Sequence, residues 1–327
     1  MSLWQWQKIQ TVSWQEEMRP MAGRKTAVFL IIVGGIILAV CYWYRFSKHV
    51  YVHDGTLADP ALCPGEINFA VIGDYGTANK PEADVAALVK SWAPDFIVTV
   101  GDNNYPDGAA ETIDQNIGYY YSDYIFPYVG EYGSTAAENR FWPALGNHDL
   151  RTDFGQPYYD YFTLPGNERT YDFVKGSVHF FVLNSDPKEP NGRSVDSAQG
   201  QWLKKGLAAS DALWKLVVMH HTPYTSSLKR NPDKELQWPY AAWGATAVLS
   251  GHDHLYERLA VDGIPYFVNG AGGKTRYNFG RPEPESVVRY NQDYGAMRVQ
   301  ASQTCLNFTF YNRDAEMIDS VTVRNEN

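Results

Sequence analysis

The sequence predicts an α/β protein in which helices alternate with sheet strands, and three observations predict it. Short apolar runs recur along the chain, and each stops at a polar group of Asp, Asn or His, in most cases led by glycine. A segment with helical spacing separates the first two of these runs. The tail, 296–323, carries three alternating stretches without helical spacing. Strands that deliver polar side chains at their carboxyl ends, with helices between them, build layered sheets that bind ligands along that edge.

The elements follow in order. Ile67-Asn68-Phe69-Ala70-Val71-Ile72 is a buried-strand run closed by Gly73-Asp74. Residues 81–92 place Val85, Leu88, Val89 and Trp92 on one helical face, with Pro81 near the start. Residues 96–100 are β-formers closed by Gly101-Asp102, and 141–145 end at Gly146-Asn147-His148-Asp149. A strand over 178–183, a helix near 199–208 and a strand over 216–219 lead to His220-His221. Residues 246–249 then end at Gly251-His252-Asp253-His254, and the tail adds antiparallel strands. One domain over 66–327 accounts for all of this.

Composition narrows the function. With 28 basic and 37 acidic residues the net charge is −9, which argues against a nucleic-acid partner. Hydrophobic residues at 44% exclude a disordered chain, and three cysteines exclude a disulfide scaffold or a four-cysteine zinc module.

The chain divides into a lead (1–25), an apolar segment (26–44), a Pro-containing tether (45–65) and the domain. The 19 residues from Thr26 to Tyr44 carry no charge. As a helix they span about 28 Å, close to a hydrocarbon core. Tyr42, Trp43 and Tyr44 suit an interfacial belt. A cleaved signal peptide, with Ala39-Val40-Cys41 as its small-x-small site, and a buried helix are the other readings. The long lead and long apolar stretch favour a single-pass anchor. Lys8, Arg19, Arg24 and Lys25 before the segment outnumber Arg45 and Lys48 after it, which points to a non-cytoplasmic catalytic domain. Cys63 and Cys305 can pair if that side is oxidising. Asn307-Phe308-Thr309 matches a glycosylation acceptor inside a strand-like run.

Five strand ends thus present, in order, Asp74, Asp102, Asn147, His220 or His221, and His252 with His254. The last two share one face, because side chains in extended chain alternate with period two. Oxygen and imidazole donors gathered on one sheet edge are metal-site chemistry. The set resembles the calcineurin-like metallophosphoesterases, and within them the purple acid phosphatase branch of the small tartrate-resistant type. The blocks are Asp74-Tyr75-Gly76, Gly101-Asp102-Asn103-Asn104-Tyr105, Gly146-Asn147-His148-Asp149, Val217-Val218-Met219-His220 and Gly251-His252-Asp253-His254.

That resemblance implies a four-layer α-β-β-α sandwich and a dinuclear centre that hydrolyses phosphate monoesters by attack of metal-bound hydroxide. It implies one metal on Asp74, Asp102, Tyr105 and His254. The other would sit on Asp102, Asn147, His252 and the histidine of the fourth block, where strand register favours His220 and the distance to Pro223 favours His221. Gly76 stands where most of the superfamily has a ligand histidine, and the Tyr105 phenolate can replace it. A phenolate favours iron(III), with iron(II), zinc or manganese at the second site. His148 is the expected catalytic residue, stabilising the phosphoryl group or protonating the leaving alcohol. A phosphodiesterase for nucleotides or lipid headgroups and a silent metal-bound binding domain are the alternatives. Gly270-Ala271-Gly272-Gly273-Lys274-Thr275 lacks the P-loop's first glycine and reads as a turn bordering the site. The tyrosine-rich stretch 118–128 reads as packing surface or as a substrate wall.

Overall fold

The computed structural model describes residues 51–52, 63 and 65–325. The lead, the apolar segment 26–44 and most of the tether lie outside them. Among the described residues no helix is long and apolar enough to cross a membrane. The folded part is a pair of mixed sheets packed face to face.

In the six-stranded sheet, β2 (Ile67–Ile72), β3 (Phe96–Thr99) and β4 (Phe141–Pro143) run parallel. The tail adds β12 (Gly295–Ala301), β13 (Cys305–Asn312) and β14 (Met317–Arg324) as an antiparallel meander beside β2. The eight-stranded sheet is ordered β1 (Tyr51–Val52), β11 (Ser286–Tyr290), β9 (Tyr256–Val261), β10 (Ile264–Asn269), β8 (Ala247–Ser250), β7 (Trp214–Val218), β6 (Val178–Val182) and β5 (Tyr171–Lys175). Its middle strands β10, β8, β7 and β6 are parallel. Tyr51 pairs with Tyr290, so the stretch read as a tether contributes a short edge strand.

Side-chain alternation places the layers. Phe180, Val182, Leu216, Val218 and Leu249 of the larger sheet share a buried cluster with the smaller sheet. Across this interface Phe69 meets Phe180 at 5.2 Å, Trp142 stacks on Phe173 at 4.0 Å, and Tyr256 stacks on Phe310 at 4.0 Å. The alternate residues Phe181, Val217 and Val248 face the other way, onto Leu203 and Leu207 of α3 (Ala198–Ala209). Helix α1 (Lys80–Ser91) lies on the outer side of the smaller sheet, where Trp92 just beyond it meets Tyr311 of β13 at 5.5 Å. Asn79 caps α1 by accepting from the backbone of Glu82. A short helix α2 (Gln156–Tyr161) follows the Asn147 loop.

Two ties join distant parts of the chain. Arg258 of β9 and Asp319 of β14 form a buried ion pair between the sheets, at 2.7 Å. Cys63 and Cys305 are disulfide-bonded, with their Cα atoms 5.8 Å apart, and fasten the chain before β2 to the start of β13. Asn307 is fully buried and donates to Ser320 and Thr322, so the sequence match there offers no acceptor for a glycan. In the tyrosine-rich stretch Tyr121 is core, edge-on to Tyr75 and tilted on Phe141, whereas Tyr119 and Phe126 are exposed.

Candidate metal centre

The parallel strands β2, β3, β7 and β8 stop at one edge of the sandwich, and the loops that follow turn sharply inward. Three of the turning residues are in the left-handed region without being glycine: Asp74 (φ 53°), Asp102 (φ 52°) and His252 (φ 67°). Side chains rarely sit there unless the surroundings hold them, and such strain gathers at functional sites. Gly101 (φ 89°) precedes Asp102 and lies against His220, where an added Cβ would come 2.7 Å from Nδ1.

Two donor sets meet on one carboxylate. On one side the Tyr105 phenol donates to Asp102 Oδ2 at 2.8 Å and lies 3.3 Å from both Asp74 Oδ1 and His254 Nε2. On the other, His220 Nε2 lies 3.3 Å from Asp102 Oδ1, 3.3 Å from Asn147 Oδ1 and 3.0 Å from His252 Nδ1. Asp74, Asp102, His220 and His254 are buried. His221 lies apart from this contact set. Its Nδ1 pairs with Ser185 Oγ at 3.0 Å and its ring packs on His252 at 4.3 Å.

The donors fit a cation. Atoms bonded to an ion at about 2.0–2.2 Å stand about 3–3.4 Å from one another; the contacts above, with His254 Nε2 to Asp74 Oδ1, run from 2.8 to 3.4 Å. Asp74, Asp102 and His254 each offer an atom within 4.8 Å of the others. The imidazoles are aimed from behind: His254 Nδ1 faces the Thr275 carbonyl at 2.8 Å and His220 Nδ1 the Val100 carbonyl at 2.9 Å, leaving each Nε2 lone pair toward the centre. Electrostatics point the same way. Burial works against a proton on His220, yet Asp102 and Asp74 push it up to about 9. Burial also opposes charge on Asp102, but His220 and His148 hold it well below the usual carboxylate range. Burial, Asp102 and Asp74 push the Tyr105 phenol up. The pocket attracts positive charge, and a bound cation would reverse the phenol's preference.

His148 sits at the rim. Its backbone N–H donates to Asp102 Oδ1 at 2.8 Å, its Nδ1 meets the Pro106 carbonyl, and Arg151 Nη2 donates to its Nε2 at 3.1 Å. Arg151 also pairs with Asp107 at 3.0 Å.

Several supporting residues escape sequence reading. The Asp149 carboxylate accepts from the backbone of Asn103, Asn104 and Gly146, and so fastens the Asn147 loop to the Asp102 loop. Its place in the Gly-Asn-His-Asp block was the available signal. The glycine-rich turn borders the centre: Gly272 donates to the Gly73 carbonyl at 3.0 Å and Lys274 to the Asp74 carbonyl at 2.9 Å. The Lys274 ammonium lies 4.3 Å from the centre of the Tyr105 ring.

Sandwich and strand-end centre together define a metallophosphoesterase fold, and the comparisons agree. The sequence model described as "Calcineurin-like phosphoesterase" matches residues 67–256, more than half of the chain. The chain belongs to that family. It is 30% identical over 256 residues to the tartrate-resistant acid phosphatase type 5 of Mus musculus, covering 67% of this chain and 74% of the mouse protein. In fold it is similar to the purple acid phosphatase PPD1 of yellow lupin (Lupinus luteus), with TM-score 0.62 and 16% identity over 80% of this chain. It spans 55% of the lupin chain. It is equally similar to GAP50, described as the anchor in the inner membrane complex of Plasmodium, with TM-score 0.62 and 17% identity over 80% of this chain and 89% of the other. The chain is a purple acid phosphatase-like phosphoesterase with a buried metal-binding group.

Proposed function

We propose that the chain is a membrane-anchored phosphomonoesterase with a dinuclear metal centre, acting on phosphorylated small molecules. The observation that carries this is Asp102, whose two oxygens face two separate donor sets. Asp74, Asp102, Tyr105 and His254 would hold one ion, and Asp102, Asn147, His220 and His252 the other. His221, against the His252 ring, would support that ligand from the side. The phenol favours iron(III) in the first position, and iron(II), zinc or manganese suits the second. Two bound cations would supply Lewis acidity to a phosphoryl oxygen and make water acidic enough to attack.

The chain's own groups then order the reaction. His148, pinned through its backbone to Asp102 and through Nδ1 to the Pro106 carbonyl, presents Nε2 at the rim beside Arg151. Arg151 can hold the phosphoryl oxygens; His148 can join it there or, once Nε2 carries a proton in place of the Arg151 contact, protonate the leaving alcohol. The walls around Asp74 and Asp102 exclude bulk water, which strengthens each contact inside.

The purified domain should absorb in the visible through a tyrosinate-to-iron(III) band that vanishes in Tyr105→Phe. A colourless, fully active all-zinc protein would refute the iron assignment. Phosphate monoesters should be turned over faster than diesters at acidic pH, and the reverse order would favour the phosphodiesterase reading. The fold shared with GAP50 supports a second reading, a tethered binding domain. Metal-loaded protein that hydrolyses no ester would establish it.

Anchoring rests on the uncharged segment 26–44. A catalytic domain on the non-cytoplasmic side rests on the charge excess before that segment and on the Cys63–Cys305 disulfide, since such bonds persist in oxidising compartments. The full-length protein should stay in the membrane pellet through an alkaline carbonate wash. Its release into the supernatant would count against the anchor.

A further inference from the structure

Beside the metal centre a cavity of about 370 Å³ opens at Asn147 and runs along Leu150 and Arg151 to Phe154, Tyr159 and Lys188. That volume lies in the range of small-molecule pockets, about 300–1,000 Å³. Phe154 is 77% exposed, the most exposed large hydrophobic side chain among the described residues. Its backbone is left-handed (φ 54°, ψ 30°), and so are Asp153 before it (φ 45°) and Gly155 after it (φ 91°).

An aromatic residue at positive φ is an outlier, and a ring left in water contributes no packing. The turn spends backbone strain to hold an apolar plate at the cavity mouth. The Lys188 ammonium lies 6.0 Å from the centre of the same ring, and no carboxylate among the described residues pairs with it. The Tyr159 ring adds a second aromatic wall. At the inner end Arg151 contacts His148, so the cavity is continuous with the rim where a leaving alcohol would depart.

We propose that this cavity is the leaving-group pocket and that it selects phosphate esters of alcohols carrying a flat aromatic ring. The ring stacks on Phe154, and Lys188 attracts its π face or a ring carbonyl. The inference deepens the phosphomonoesterase reading and rests on Asn147 lying at the metal centre.

The test compares phenyl phosphate, a purine nucleoside 5′-monophosphate and glycerol phosphate as substrates. In parallel, calorimetry measures the Kd of phenylphosphonate and of methylphosphonate, neither of which is hydrolysed. The wild-type protein should favour an aromatic substrate over glycerol phosphate, and phenylphosphonate over methylphosphonate, by about tenfold. Phe154→Ala should erase that ratio, Phe154→Trp should keep it, and Lys188→Ala should reduce it. The nucleotide ranked above phenyl phosphate assigns the pocket to a two-ring base, and the opposite ranking to a single aryl ring. Phenylphosphonate preference without any turnover supports the pocket while removing the phosphomonoesterase reading. Equal affinity of the wild type for both phosphonates, or an equal loss of both in Phe154→Ala, overturns the pocket.

Discussion

Asp102→Asn is expected to strip the centre of metal and to lower kcat/KM by about a thousandfold or more. Loss of an outer-shell partner alone costs about 10–100-fold, and Asp102 stands between both donor sets, with Oδ2 on Tyr105 and Oδ1 on His220. Asparagine is the right replacement. It tolerates the left-handed backbone at φ 52° nearly as well as aspartate and has nearly the same volume. The change therefore removes charge while leaving the turn its shape. A readout independent of activity follows from mass action, because a ligand that binds only the folded state stabilises it. Chelation should lower the Tm of the wild-type protein and leave that of Asp102→Asn unmoved. His148→Ala makes the contrast, with turnover lost and both metals kept. An Asp102→Asn protein holding two metals per chain at near-wild-type turnover would sink the bridging role.

The strands that present the centre were legible in the sequence because each reads as an apolar run with a polar stop. β2, β3, β7 and β8 end at Asp74, Asp102, His220 and His252, so recognising the runs also located the donors. Helix α1 carried Pro81 near its start in plain view, whereas its Asn79 cap was seen only in the structure. Strand β9 did not read as a strand, because it buries Glu257 and Arg258, whose partners Ser226, Ser286 and Asp319 are remote in sequence. Long-range pairing of that kind is decided by tertiary neighbours rather than local preference. The same limit hid the supports of the centre. The Thr275 carbonyl behind His254 and the backbone amides around Asp149 are groups every residue possesses, and only the fold brings them to those positions. Residues 153–155 carry one glycine, and nothing local announces that three successive residues turn left-handed.

Gly76→Ala is the second large expected effect, and it bears on the proposed Tyr105 ligand. A Cβ at position 76 would lie 1.7 Å from the Asn103 carbonyl oxygen and 3.1 Å from the Asn104 nitrogen. Both are backbone atoms of the loop that carries Asp102 and Tyr105, and Tyr105 N–H donates to the Gly76 carbonyl at 2.8 Å. The two loops are in direct backbone contact, so no rotamer change can relieve the clash. Overpacking costs about 1–3 kcal/mol and sometimes more, and here the expected loss is about 3 kcal/mol or more, read as a lower urea midpoint at unchanged m. The close contact also supports a proposed phenol ligand in place of a histidine. A histidine at 76 would need the space that Asn103 occupies, whereas the Tyr105 hydroxyl already stands 3.3 Å from Asp74 and His254. The double variant Gly76→His with Tyr105→Phe should therefore fail to restore metal binding, although it rebuilds the histidine that the superfamily resemblance places there. Recovery of stoichiometric metal in that double variant would show that the loops can part, and that the phenol is a replaceable choice.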